Sequence, residues 1–454
     1  MSGIAEILLN LGYGVSGSDL AESKMTERLR GCGARIAIGH AAENIPADCS
    51  LLVYSSAVSF TNPEMEEAQR RGLPLVRRAE VLAELMRLKY GVAVAGSHGK
   101  TTTTSMVAAI LETGGLDPTV IIGGKVKSSG TGSRLGKGDY LVAESDESDR
   151  SFLLLKPTVA IVTNIDAEHM SAYKSLEDLE GAFAQFVSAV PFYGLAILCI
   201  DDTKVRSLAL QHRGRKISYG FSVDAELRAQ GVTHEKGRSF YELYLRGEKL
   251  GDVELAMPGR HMVLNSLAAI AVGLEFAIPQ SQILSALKSF SGVERRLEII
   301  GSARGITVMN DYGHHPAEIR ATLRAVKDGW GKEIRRLLVV FQPHRYTRTR
   351  DCFADFIEAF HDADSLFMMD IYSAGEPLIE GISGEILAAA INHQDKKFCA
   401  TPGETLEQVL NNVQAGDMLV FLGAGSVGAL SQQCLAAFQE LRAAEPSAAV
   451  AIGG

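Results

Sequence analysis

Apolar residues in this chain gather into short continuous runs, and the stretches between them carry helical spacing. Residues 4–11 repeat apolar positions at helical intervals and stop at Gly12, and residues 14–17 form a short strand ending at Ser18-Asp19. Further strands are predicted at 35–38, 51–54 and 75–76, with helical stretches between them, as at 64–71. Strands separated by helical crossovers imply a parallel, doubly wound sheet. A second segment opens with a small apolar strand at 90–95 and has buried-strand candidates at 140–143, 159–163 and 195–199. Between 216 and 257 short alternating runs such as 240–245 predict an antiparallel patch. A third segment again alternates strands (337–341, 365–369, 418–422) with helices. The expectation is an α/β protein of three tandem domains, 1–88, 89–296 and 297–454. The tail after Glu445 is rich in Ala and Gly, which predicts disorder.

Composition narrows the function classes. The 454 residues are 46% hydrophobic and 22% charged, ordinary for a soluble globular protein. No apolar run approaches the roughly 20 residues that span a bilayer, and the start lacks the features of a secretion signal. Cytoplasmic location without membrane insertion is therefore expected. The net charge of −9 argues against nucleic acid as a partner, because no basic excess exists to displace counterions from a phosphate backbone. The cysteines (Cys32, Cys49, Cys199, Cys352, Cys399, Cys434) are scattered without a C-x-x-C pair, as suits reduced thiols better than a disulfide frame or a zinc site.

The sharpest chemical signal follows the strand at 90–95: Gly96-Ser97-His98-Gly99-Lys100-Thr101-Thr102. Gly96 and Gly99 let backbone amides curl towards an anion. Lys100 can reach terminal phosphates, and the Thr101 hydroxyl is placed to bind Mg²⁺. The helix that follows offers its positive N-terminus to the same phosphates. The common phosphate-loop spacing would put glycine at Val94, so this is a shorter form.

Two acidic stretches follow later strands. Glu144-Ser-Asp146-Glu147-Ser-Asp149 comes directly after the strand at 140–143, and in open α/β sheets ligands collect at strand carboxyl ends. Glu144, first in that loop, is the candidate to face the phosphates and hold Mg²⁺ through oxygen, whereas Asp149 reads as solvated. Thr163-Asn164-Ile-Asp166-Ala-Glu168-His169 follows the next strand, and His169 is a candidate second metal ligand.

The order G-S-H-G-K-T-T-T-T-S-M, E-S-D-E-S-D-R-S-F, T-N-I-D-A-E-H-M resembles the Mur ligases. Pro258-Gly-Arg-His261-Met-Val-Leu-Asn265, Asn310-Asp311-Tyr312-Gly-His314-His315-Pro316, Phe341-Gln-Pro-His344-Arg345-Tyr-Thr-Arg348-Thr and Gly423-Ala-Gly-Ser-Val-Gly428 extend the match over essentially the whole chain. The resemblance implies a Rossmann-like UDP-binding domain, a central ATPase domain with a phosphate loop, and a C-terminal Rossmann-like domain for the incoming amino acid. It implies ATP and Mg²⁺ as cofactors and UDP-N-acetylmuramate and L-alanine as small-molecule substrates, joined through an acyl phosphate, in a monomer or homodimer. Lys100, Glu144 and His169 would be catalytic, with Thr101, Glu144 and His169 on metal. The loop from Gly96 to Thr102 and Asn265 would hold ATP. Asp19, His40 and Ser56 would lie on the uridine side, and His344, Arg345 and Arg348 would hold carboxylates, for which a planar guanidinium fork is suited.

The chain departs from the family pattern in places. Family members begin with a strand and a Gly-rich loop, and this sequence starts inside that loop at Met1-Ser2-Gly3. Either the sequence starts too late, or the first domain is short of one strand and has a weakened hold on the UDP diphosphate. Met262 stands where the family usually has asparagine, and a thioether cannot replace an amide's hydrogen bonds to adenine. Ser97 replaces a common threonine and keeps the hydroxyl. The alternatives are a recycling ligase adding a preformed tripeptide to the same UDP-sugar, and a nucleotide-binding homologue without ligase activity. A folylpolyglutamate-type ligase fits the N-terminal segment poorly. A nicotinamide oxidoreductase lacks its G-x-G-x-x-G.

Overall fold

A computed structural model describes residues 1–55, 58–126, 131–168 and 170–444. The tail after Glu445, for which disorder was expected, lies outside the described residues. The structure divides into two compact units: residues 1–231, 241–255 and 262–291 form one, and 232–240, 256–261 and 292 onwards form the other.

The first unit begins with the helix Ser2–Asn10 and two separate parallel pairs. Strands β1 (Ser16–Asp19) and β2 (Arg35–Ile38) make one, and β3 (Leu52–Tyr54) and β4 (Leu75–Arg77) the other. One continuous sheet was expected here; these strands are three or four residues long and half-buried, and each pair closes on itself.

The large sheet, whose strands belong to this unit apart from residues 232–240, comprises in chain order β5 (Tyr90–Ala95), β6 (Thr119–Val126), β7 (Thr131–Arg134), β8 (Tyr140–Glu144), β9 (Val159–Val162), β10 (Leu195–Cys199), β11 (Lys216–Gly220), β12 (Leu227–Glu235), β13 (Arg238–Leu245) and β14 (Glu248–Leu255). Their spatial order is β14-β13-β12-β11-β10-β9-β5-β8-β6-β7. Strand β5 pairs in parallel with β8 on one side and β9 on the other. After β5 the chain places β6, β7 and then β8 on one side and afterwards builds outwards from β9 on the other. The carboxyl end of β5 is thus the switch point where such sheets take ligands. Strands β5, β9 and β10 are apolar because both faces are covered, the pattern of a central parallel strand.

The antiparallel patch starts later than the alternation suggested. Strand β11 runs parallel to β10 and β12. Two-residue connections at Lys236-Gly237 and Arg246-Gly247, all with positive φ, then join β12, β13 and β14. Such turns match the twist of antiparallel hairpins. The core beneath the parallel part gathers Phe152, Phe183 and Phe186, with ring centroids 5.2 Å apart in two of the pairs.

The helix Lys100–Thr113 opens with four consecutive threonines, poor helix formers. Burial overrides propensity. Met106, Val107, Ile110 and Leu111 are covered, and Thr104 and Ser105 hydroxyls donate to the carbonyls of Lys100 and Thr101 at 2.8 Å.

The second unit carries a six-stranded sheet, in chain order β15 (Glu298–Ala303), β16 (Ile306–Asp311), β17 (Leu337–Phe341), β18 (Ser365–Met369), β19 (Lys396–Cys399) and β20 (Met418–Leu422). Its spatial order is β15-β16-β20-β17-β18-β19, antiparallel only at β15–β16. Asp417, fully buried before β20, is held by Arg336 Nη2 at 2.7 Å. No disulfide joins any of the cysteines, and no described helix is long and apolar enough to cross a membrane. Phe421 in β20 is fully buried in the core of this sheet. Phe421→Ala is expected to cost about 3–5 kcal/mol, read as a lower urea midpoint for this unit's transition against the unchanged chain.

Candidate nucleotide site and candidate substrate sites

The loop after β5 is shaped by close approach. A Cβ at Gly96 (φ +134°) would come within 2.1 Å of Thr163 Oγ1, and one at Gly99 (φ +82°) within 2.6 Å of Asn265 Oδ1. Only glycine fits either place. The brace comes from the segment after β9. His98 N–H donates to Asn164 Oδ1 at 2.8 Å, and Asn164 Nδ2 returns a bond to the His98 carbonyl at 3.0 Å. Thr163 Oγ1 donates to the same carbonyl at 2.7 Å, and Asp166 N–H to Ser97 Oγ at 2.8 Å. The His98 ring Nε2 lies 3.1 Å from Asp166 Oδ2.

Lys100 folds back over this loop. Its ammonium donates to Gly96 O at 2.5 Å, Ser97 O at 3.1 Å and Glu147 Oε1 at 2.8 Å. Burial pulls the Lys100 ammonium down, but Glu147, with Glu144 and Asp146 behind it, more than offsets that and holds it protonated. Glu147 is 1% exposed, and burial pushes its carboxyl up to about 7 against the pull of Lys100. Thr101 Oγ1 donates to both Glu144 oxygens at 3.0 Å, and Gly123 N–H donates to Glu144 Oε2 at 2.7 Å. A hydroxyl and a carboxylate converging at a strand end form the hard oxygen set that suits Mg²⁺. Thr102 and Asn265 are buried on the helices Lys100–Thr113 and Arg260–Glu275. Asn265 Nδ2 points at Met262 Sδ from 3.9 Å, a weak contact.

Of the sequence-predicted residues, Gly96, Ser97, His98, Gly99, Lys100, Thr101 and Glu144 share one place, and Asn265 touches its edge. Asp19 and His40 come together at the carboxyl ends of β1 and β2, where Gly39 N–H donates to Asp19 O at 2.8 Å. His40 Nδ1 lies 2.8 Å from Ser18 Oγ, which donates to Glu64 at 2.8 Å. Ser56 and His169 lie outside the described residues.

In the second unit His344, Arg345 and Arg348 stand together after β17. Arg348 Nη1 donates towards His344 Nδ1 at 3.3 Å, and the His344 ring stacks on Tyr372 at 5.6 Å. Burial first, then His314, Arg348 and Arg345, pushes the His344 imidazole down to about 4, so it is neutral near pH 7. Arg345 has a φ of +72°, rare for any residue but glycine, and its side chain is exposed. Strain of that kind clusters at functional sites.

Residues that the sequence reading left without a role are Glu147, Thr163 and Asn164. Glu147 stood within the acidic loop, but which acid meets Lys100 depends on how that loop turns. Thr163-Asn164 ends a buried strand with paired polar side chains, a signal that could have marked the brace. The guanidinium carbons of Arg295 and Arg296 lie 4.9 and 5.1 Å from the Tyr312 ring centroid in the second unit, and no local spacing announced that.

Family models match three stretches: the Mur ligase family catalytic domain at 1–90, the Mur ligase middle domain at 94–273 and the Mur ligase glutamate ligase domain at 295–425. The UDP-N-acetylmuramate--L-alanine ligase of Geotalea uraniireducens is 52% identical over 94% of this chain and 93% of its own length. That of Geobacter sulfurreducens is 50% identical over 98% and 96%. The crystal structure of the UDP-N-acetylmuramate-alanine ligase of Thermotoga maritima superposes with a TM-score of 0.82 at 27% identity, covering 97% of each chain. With three family models in register and half of its residues shared with such relatives, the chain belongs to the Mur ligase family.

Proposed function

We propose that the protein joins L-alanine to the lactyl carboxylate of UDP-N-acetylmuramate, at the expense of ATP, in peptidoglycan precursor synthesis in the cytoplasm. The observation that carries this reading is identity of about half, over nearly the full length, with relatives that bear that activity in their names. The loop around Lys100, at the switch point of a parallel sheet, supplies the phosphate chemistry the reaction needs.

A carboxylate is a poor acyl donor. Transfer of the γ-phosphoryl group of ATP to the lactyl oxygen makes an acyl phosphate and releases ADP. The amine of L-alanine then attacks the acyl carbon, losing a proton, and phosphate leaves from the tetrahedral intermediate. Two anions must meet in the first step, so fixed positive charge is required. Lys100 and the amides from Gly99 to Thr102 orient and neutralise the phosphates, the Ser97 and His98 amides being taken by Asn164, and Asn265 lines the nucleotide's edge. Thr101 and Glu144 would hold Mg²⁺, with His169 assigned to a second ion. When bound, these ions supply charge neutralisation between phosphate and carboxylate. We assign UDP-sugar binding to 1–88 through Asp19, His40 and Ser56, ATP to 89–296, and the amino acid to 297–454. There a neutral His344 with Arg345 and Arg348 would take the alanine carboxylate.

The direct test is phosphate release from ATP with Mg²⁺, UDP-N-acetylmuramate and L-alanine, omitting each in turn. Release that needs all three, with UDP-N-acetylmuramoyl-L-alanine found by mass, is expected; release with a preformed tripeptide in place of L-alanine would overturn the substrate assignment. Lys100→Ala should lower turnover by about 10²-fold or more with circular dichroism unchanged, and near-normal activity would remove Lys100 from the mechanism. Arg348→Lys keeps the charge but loses the fork. It should raise the L-alanine KM about tenfold, the loss of one charged hydrogen bond, with a smaller change in the KM for ATP.

A further inference from the structure

All three protons of the Lys100 ammonium are taken in this structure: by the carbonyls of Gly96 and Ser97 and by Glu147 Oε1. A phosphate oxygen can therefore reach this lysine only by displacing one of its present partners. The carbonyls belong to the loop itself, braced by Thr163 and Asn164. Glu147 is the separate partner, and it is an anion standing where a polyanion must come.

Its surroundings make its release costly. Glu147 Oε2 is buried and has no hydrogen-bond partner among the described residues. Once Lys100 turns to phosphate, the carboxylate would be buried with no cation at all, which low-dielectric surroundings penalise heavily. The groups that bear on it offer no replacement. Asp146 is a like charge. Tyr173 donates its hydroxyl to the Glu147 carbonyl, not to the carboxylate, at 2.5 Å. Arg150, next along the loop, is paired with Asp178 at 2.8 Å and lies over the Tyr173 ring. Glu144 is engaged by Thr101 and Gly123.

We propose that Glu147 is a latch on Lys100: nucleotide binding breaks the Lys100–Glu147 pair, Lys100 passes to the phosphates, and Glu147 takes up one proton from solvent. The inference rests on the ATP-site reading above. The balance is simple. One N–H···O⁻ contact is lost, one N–H···O–P contact is made, and a buried carboxylate becomes a carboxyl. Glu147 is a positioning residue here, since it acts on phosphate through Lys100.

The direction with pH follows. The ligand-free carboxyl titrates at about 7, and loss of Lys100 raises it further in the complex. Nucleotide affinity is then level below about pH 7 and falls as pH rises through it, by at most about tenfold per unit until the complex itself titrates. Isothermal titration of the full chain with the Mg²⁺ complex of a non-hydrolysable ATP analogue at pH 8, in HEPES and in Tris, reads the protons exchanged. The unchanged chain should take up close to one proton, and Glu147→Gln close to none, with tighter binding and a flattened pH profile. No uptake by the unchanged chain overturns the latch whatever the variant does, and equal uptake in Glu147→Gln assigns the proton elsewhere and overturns it too. Nucleotide binding without uptake leaves the ATP site standing. Absence of binding removes that site and the latch together.

Discussion

A loop that presents its amides to phosphate must leave them open, so it cannot be stiffened by the ladder that stiffens ordinary backbone. In this protein rigidity comes from the start of the loop, where Asn164 takes the amides of Ser97 and His98. Asn164 accepts from the amide of His98 and donates to its carbonyl, and Thr163 takes the same carbonyl. Each bond is worth only about 0.5–1.5 kcal/mol net, but an abandoned partner in a buried place costs more. The brace is possible because β9 lies directly beside β5, with Ala95 opposite Val162. Sheet order, loop shape and the position of Lys100 are one dependent series.

Charge is the second constraint. Around a single ammonium stand Glu144, Asp146 and Glu147. For the triphosphate site proposed here this is an excess of negative charge, which a divalent cation on Thr101 and Glu144 would offset. In the second unit His344 is kept neutral by burial and by its neighbours Arg345 and Arg348, and a single acid, Glu376, bears on the same group.

Legibility in the sequence followed the number of covered faces. Strands buried on both sides, such as β5, β10, β17, β18 and β20, read as continuous apolar runs and were placed to the residue. Edge elements were not. Strand β19 reads Lys-Lys-Phe-Cys and β15 ends in Gly-Ser-Ala, patterns that resemble loops. Strand β11 looked antiparallel because Lys216-Ile-Ser-Tyr219 alternates polar and apolar residues, although its partners run parallel. In the site, Gly96, Gly99, Lys100 and Thr101 were readable because phosphate chemistry demands those types at that spacing. Glu147 was one of four acids within six residues, and Asn164 looked like an ordinary strand end. Their roles depend on contacts across 47 and 66 positions of chain.

That last separation has a meaning for how the molecule is made. The loop leaves the ribosome well before its brace: at about 5–20 residues per second, about 3–13 s pass between synthesis of His98 and of Asn164. During that interval β5 lacks first both of its neighbours, β8 and β9, and then β9 alone, and the glycines are free to wander. The nascent protein therefore has its lysine early and its nucleotide pocket late, and ATP in the surrounding fluid cannot stabilise the central sheet until β9 has been delivered.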